Sequence, residues 1–148
     1  MAIALLPWAE TGQAETKLQV KIEDLGTLRR DLNNPDDDSL STGKSWAVAI
    51  DPSGEVVVGW ADNSQRNTHA SAWRYEGKNG VKQWSAPVDL GTLNRDLQDP
   101  NDNSKSNGVS RANAISADGS AVVGEAYNES WYGRASVWRY SNGKWGAP

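Results

Sequence analysis

The sequence predicts an all-β protein made of two tandem four-stranded antiparallel repeats, and three observations carry that prediction. A block beginning Asp24-Leu25-Gly26-Thr27-Leu28 returns about 65 residues later as Asp89-Leu90-Gly91-Thr92-Leu93 and stays in step, without a gap, to Tyr75 and Tyr140. About half of the aligned positions are identical, among them Ala47/Ala112, Ala49/Ala114, Ile50/Ile115, Gly59/Gly124 and the tripeptides Trp73-Arg74-Tyr75 and Trp138-Arg139-Tyr140. Within each copy the apolar residues alternate with period two, are rich in Val, Ile and Trp, and are punctuated by Gly, Asn and Asp; helical spacing is missing.

The elements follow in order. Residues 45–50 form a first strand, and Asp51-Pro52-Ser53-Gly54 turns the chain into a second over residues 55–61; Ser116-Ala117-Asp118-Gly119 stands at the same place in the second copy. A third strand covers residues 70–75 and leaves through Glu76-Gly77-Lys78-Asn79-Gly80, shortened to Ser141-Asn142-Gly143 in the second copy. A fourth runs from Val81 or Lys82 toward Val88, and its second-copy counterpart reaches Pro148 within the expected strand. Residues 18–22 look like the tail of a preceding fourth strand. The chain thus divides into an N-terminal extension (1–17), a first repeat (18–88) and a second (89–148).

Comparing the copies shows which faces are buried. In strand two, Val57, Gly59 and Ala61 match Val122, Gly124 and Ala126, while the other face changes Val56 to Ala121 and Trp60 to Glu125. In strand three only Ala72 changes, to Val137, so both faces are expected to be covered, with Trp73 and Trp138 in the core. Four-stranded modules of this kind suit the blades of a β-propeller, which closes with about 4 to 8 of them. Closure by homo-oligomerisation, a longer array and a two-sheet β-sandwich with internal pseudo-symmetry all remain open.

Composition narrows the partners. A net charge of -4, with seven of the 19 acids in two loops, argues against nucleic acid, and no run approaches the ~20 apolar residues of a membrane-spanning helix. The absence of Cys excludes disulfide and thiolate chemistry and fits a cytosolic or a disulfide-free surface protein equally. Ala2 to Leu6 is apolar but lacks a basic flank and is interrupted by Pro7; it reads as the stub of an export signal, an anchoring arm or a frayed tail.

An antiparallel meander sorts the loops. The tight turns share one edge; residues 29–44 and 62–68, with 94–110 and 127–133 in the second copy, share the other and make it the expected binding edge. Its oxygen-rich loops carry Asp36, Asp37, Asp38, Asp99, Asn101, Asp102 and Asn103, a density suited to Ca²⁺ or to an Asp/Asn network capping its own backbone amides. Trp60, Arg66, Trp131 and Tyr132 are the expected ligand contacts, since each differs in type from its counterpart and Trp and Tyr offer faces for a sugar ring. Packing against a neighbouring chain or the N-terminal arm is the competing explanation. His69 is the sole histidine and is replaced by Arg134 in the second copy; with no nucleophile elbow, phosphate loop or zinc motif, catalysis is not expected.

At Asp-Leu-Gly-Thr-Leu, then residues 112–124, then Arg134-Ala135-Ser136-Val137-Trp138, the chain resembles the HAF repeat family of bacterial extracellular and autotransporter-associated proteins. It departs at Arg29-Arg30 and Asn94-Arg95, where Gly-Gly often follows, and in showing His69-Ala70-Ser71 and Arg134-Ala135-Ser136 for the His-Ala-Phe that names the family. The resemblance implies a secreted or surface-exposed, propeller-like repeat module without catalytic residues. The expected function is therefore recognition or adhesion, binding glycan or protein through the long-loop edge. The alternative is a self-assembling protein forming rings or filaments by strand pairing between chains.

Overall fold

A computed structural model of the chain describes residues 21–29, 42–78, 80–94 and 107–148. These residues contain no helix, and so none long and apolar enough to cross a membrane. They form two antiparallel sheets. The first is ordered β1 (Ser45–Ile50), β2 (Val56–Asp62), β3 (Thr68–Lys78), β4 (Val81–Trp84), with β5 (Val88–Asp89) also on β3; the second is β6 (Ser110–Ile115), β7 (Ala121–Tyr127), β8 (Gly133–Ser141), β9 (Lys144–Trp145). Registers agree between them: Val57 faces Trp73 and Val122 faces Trp138, while Gly59 faces Ser71 and Gly124 faces Ser136.

The shared glycines have a common cause. In both sheets the first strand slips by one residue, between Ala47 and Ala49 and between Ala112 and Ala114, a β-bulge. It drives the first strand's backbone onto the second: a Cβ on Gly59 would lie 1.8 Å from the Trp46 carbonyl oxygen, and one on Gly124 lies 1.9 Å from that of Arg111. Only glycine admits this approach.

The first turns use one network with its members exchanged. Oδ1 of buried Asp51 accepts the Glu55 and Val56 N–H groups at 3.0 and 2.8 Å, and Ser53 donates its hydroxyl to Oδ2. In the second copy the serine comes first and the acid third: Ser116 Oγ accepts the Ala121 N–H at 2.9 Å, and Asp118 accepts from the hydroxyls of Ser116 and Ser120 and the Ser120 N–H. The Ser116 hydroxyl, followed by the Ser120 hydroxyl and N–H, holds the Asp118 carboxyl down to about 2. At Asp51 burial pushes the other way, but the Ser53 hydroxyl and the Val56 and Glu55 N–H groups outweigh it and keep the carboxyl below its ordinary value. Groups lowered by folding stabilise the fold above their unfolded value and lose that contribution as pH falls through the folded one. Melting temperature should therefore drop on acidification from about pH 4 towards the Asp118 value of about 2. The Asp51→Asn/Asp118→Asn double variant should flatten that limb; a limb as steep as in the parent refutes the assignment.

Two expectations about strand bounds are corrected. The third strand of the first copy, expected over 70–75, extends from Thr68 to Lys78, because Glu76, Gly77 and Lys78 pair with Gln83, Lys82 and Val81 instead of forming an exit loop. The second copy lacks those extra pairs and turns at Asn142 and Gly143, with φ of 52 and 77°, a two-residue hairpin. The single fourth strand is two pieces, β4 and β5, separated by Ser85, Ala86 and Pro87; Pro87 has no N–H with which to continue a ladder. Within the expected entry strand 18–22, Lys21 and Ile22 belong to no strand, and residues 18–20 lie outside those described, as does the whole of the extension 1–17. The boundary between residues 88 and 89 falls inside β5.

The sheets are stacked, one on the other, with different faces in contact. Each has a front, bearing Val57, Gly59, Ala61 and Trp73 or Val122, Gly124, Ala126 and Trp138, and a back, bearing Val56, Val58, Ala70 and Ala72 or their counterparts. The back of the first sheet meets the front of the second in the main core, which Leu90, Leu93, Ile115 and Trp145 complete. The front of the first sheet is covered by Leu25, Leu28 and Trp84. Trp73 and Trp138 are buried, as expected. Both faces of β3 are covered over residues 69–75; on β8 the back face is exposed, which corrects the expectation for the second copy. No closed sheet is found among the described residues.

Candidate functional site

The strand order places the β1–β2 and β3–β4 turns at one end of the first sheet and the β2–β3 turn at the other. At that second end the chain enters β1 beside the end of β2, where Asp62 and Lys44 bond through Asp62 N–H to Lys44 O at 2.8 Å and Lys44 N–H to Asp62 Oδ2 at 3.0 Å. Just before β1 the Thr42 N–H donates to Arg29 O at 3.1 Å.

The β2–β3 and β7–β8 turns are built alike. Asn63 Oδ1 accepts the Gln65 and Asn67 N–H groups at 3.0 and 2.9 Å, and Asn128 Oδ1 accepts those of Ser130 and Tyr132 at 3.1 and 3.0 Å. In each, the N–H of the fourth residue, Arg66 or Trp131, donates to the first carbonyl at 2.9 Å. That fourth residue is left-handed, with φ of 66° at Arg66 and 61° at Trp131, a conformation that costs a side-chain-bearing residue about 1 kcal/mol. Glycine would remove the strain, yet both copies carry a long side chain there.

These turns bring together two of the expected contacts. Trp131 and Tyr132 sit side by side, 59 and 62% exposed. The Arg134 guanidinium lies 5.6 Å from the Tyr132 ring centre, and the Tyr127 ring packs beside Gly133. The turn thus presents two exposed aromatic rings, one with a cation over it, groups suited to stacking and hydrogen bonding with a sugar or a protein loop. Arg66 holds the corresponding place on the first sheet and is exposed.

Trp60 belongs to a different surface, the back of the first sheet. Trp46 faces it across the strands, with ring centres 6.1 Å apart and planes within 8°. In the second sheet this cross-strand pair is an ion pair, Arg111 to Glu125 at 2.9 Å. Trp46 was not among the expected contacts; the strand register across the bulge, which pairs it with Trp60, is the signal that identifies it.

His69 is buried and pairs through Nδ1 with both Asp89 oxygens, at 3.0 and 2.8 Å, while Nε2 has no hydrogen-bond partner. Asp89 also accepts the Gly91 N–H at 2.8 Å, as Asp24 accepts that of Gly26 at 2.9 Å, so the histidine is clamped to the start of the second Asp-Leu-Gly-Thr-Leu segment. Asp36, Asp37, Asp38, Asp99, Asn101, Asp102 and Asn103, the expected Ca²⁺ ligands, all lie outside the described residues. Among the described residues no His, Cys, Asp and Glu side chains gather in a metal-binding group.

No protein-family model matches this sequence, and no match was found among curated proteins or solved structures.

Proposed function

We propose that the chain is an extracellular or cell-surface recognition module of a bacterium, adhering to a glycan or a protein through the edge that carries residues 63–67 and 128–132. On this reading its sheets are propeller-like blades of the HAF repeat type, and the module catalyses no reaction. The observation that carries the reading is Trp131, a large apolar side chain presented to solvent from a left-handed backbone position beside exposed Tyr132. Both the strain and the exposure oppose stability, and a ligand that covers the rings repays them.

Trp131→Gly separates binding from folding. It removes the indole and also relieves the φ strain, so melting temperature should hold or rise while retention on a glycan array or an immobilised protein panel falls about tenfold, roughly 1.4 kcal/mol. Tyr132→Ala should act in the same direction. Retention equal to that of the parent chain would remove the basis of this reading.

A further inference from the structure

The two outward surfaces of the stack match the two sides of its own internal contact. Inside the chain, the back of the first sheet offers Val56, Val58, Ala70 and Ala72 to the second sheet, and all four are buried. The corresponding residues on the back of the second sheet are Ala121, Val123, Ala135 and Val137. Both sets hold two Val and two Ala, with one Val and one Ala exchanged between neighbouring strands, so volume is conserved. Yet Val123 and Val137 are 49 and 40% exposed.

The opposite side shows the same mismatch between chemistry and exposure. On the front of the second sheet Ala112 and Ser110 are buried and Ile115 packs into the core, while on the front of the first Ala47 is exposed, Ser45 is half-buried and Ile50 is 55% exposed. A Cβ on Gly119 would meet Val56 of the facing sheet at 3.2 Å, whereas one on Gly54 would meet nothing within 4 Å.

Polar links repeat the pattern. Ser110 Oγ donates to Gly91 O at 2.7 Å and accepts the Ala70 N–H of the facing sheet at 2.8 Å, and the Arg74 guanidinium lies 4.2 Å from the Tyr140 ring centre across the contact. Ser45 and the buried Gly26, the Ala135 N–H, Arg139 and Tyr75 hold the corresponding places at the two outer sides of the stack. The Trp46/Trp60 pair departs, as Arg111 and Glu125, and so do Asp62/Thr68, as Tyr127 and Gly133, and His69, as Arg134.

We infer that the chain binds a second copy of itself by laying the back of its second sheet on the exposed β1 side of the front of the second copy's first sheet, beside the Leu25, Leu28 and Trp84 that cover Val57 and Trp73, just as Leu90, Leu93 and Trp145 flank the internal contact. Val123 and Val137 then pack against Ile50 and Ala47 of the second copy, Ser45 takes the Ala135 N–H, and Arg139 covers Tyr75. Because the two surfaces differ, the contact is heterologous and propagates into a ring or a filament. This differs from strand pairing at sheet edges, and it stands whether or not the ligand-binding reading holds.

Two exposed substitutions test it, Val137→Glu on the back of the second sheet and Ile50→Glu on the front of the first. The parent chain at about 1 mM should show masses above one chain by light scattering, and each variant alone should show one chain, with circular dichroism and melting unchanged. Mixing the two variants should yield a two-chain species, because each supplies the intact surface that the other lacks. A parent chain that remains single, a mixture that remains single, variants that assemble like the parent (edge pairing), or Ile50→Glu that pairs alone (back to back) would each overturn the inference. Should either variant fail to fold, Val123→Lys and Ala47→Glu probe the same two surfaces.

Discussion

Gly59→Ala is expected to destabilise the fold by about 3 kcal/mol or more, and Gly124→Ala to act comparably. The added methyl would sit 1.8 Å from the Trp46 carbonyl oxygen in the first case and 1.9 Å from the Arg111 carbonyl oxygen in the second, and both obstacles are backbone. Neither can rotate away as a side-chain tip would. Relief requires the bulge to move, and the bulge fixes which residues of β1 face the front; shifting it by one position exchanges the faces of the residues beyond it. Gly77 provides the control, since a Cβ there meets nothing within 4 Å and its φ is not left-handed. Urea midpoints should order Gly77→Ala close to the parent and Gly59→Ala far below. A Gly59→Ala midpoint near that of Gly77→Ala would show that the bulge yields cheaply.

Trp138→Ala is the second large effect, about 4 kcal/mol. The indole lies fully buried between the sheets, in one cluster with Val56, Val58, Ala70 and Ala72 of the facing sheet, so its removal opens a cavity that neither sheet can fill alone. Its Nε1 has no hydrogen-bond partner, and its contribution is therefore one of packing. That makes Trp138→Phe informative: it deletes the unpaired donor along with part of the ring and should cost under about 1.5 kcal/mol. Denaturant unfolding of the two variants checks this. A Phe variant as damaged as the Ala variant would point to a hydrogen bond at Nε1.

Much of the fold was legible in the sequence because strand signals are local. Period-two alternation and the turns at Asp51-Pro52-Ser53-Gly54 and Ser116-Ala117-Asp118-Gly119 bounded the first two strands of each copy to within a residue or so. The extension of β3 was hidden because Glu76, Gly77 and Lys78 are weak strand formers that pair only when β4 lies beside them. Pro87 was in plain view, but whether it ended the strand or merely interrupted it depended on β3 continuing past it to receive β5. Of the candidate site, Trp131 and Tyr132 could be named because their counterparts differ, and the turn then placed them together. Trp46 escaped because pairing across a bulge depends on a slip that no local pattern records. The choice between front and back was half legible: matching residues marked the shared face, but which sheet's back would meet which front is a matter of three-dimensional order.

The three residues Val88, Asp89 and Leu90 also limit how this protein can be dissected. Val88 and Asp89 belong to β5 on the first sheet, while Leu90, bonded through its N–H to Ala70 O, is already part of the packing over the second. A scissile site placed before them robs one half of its last rung, and one placed after them strips the lid from the other. At this junction each half thus carries part of the other's packing.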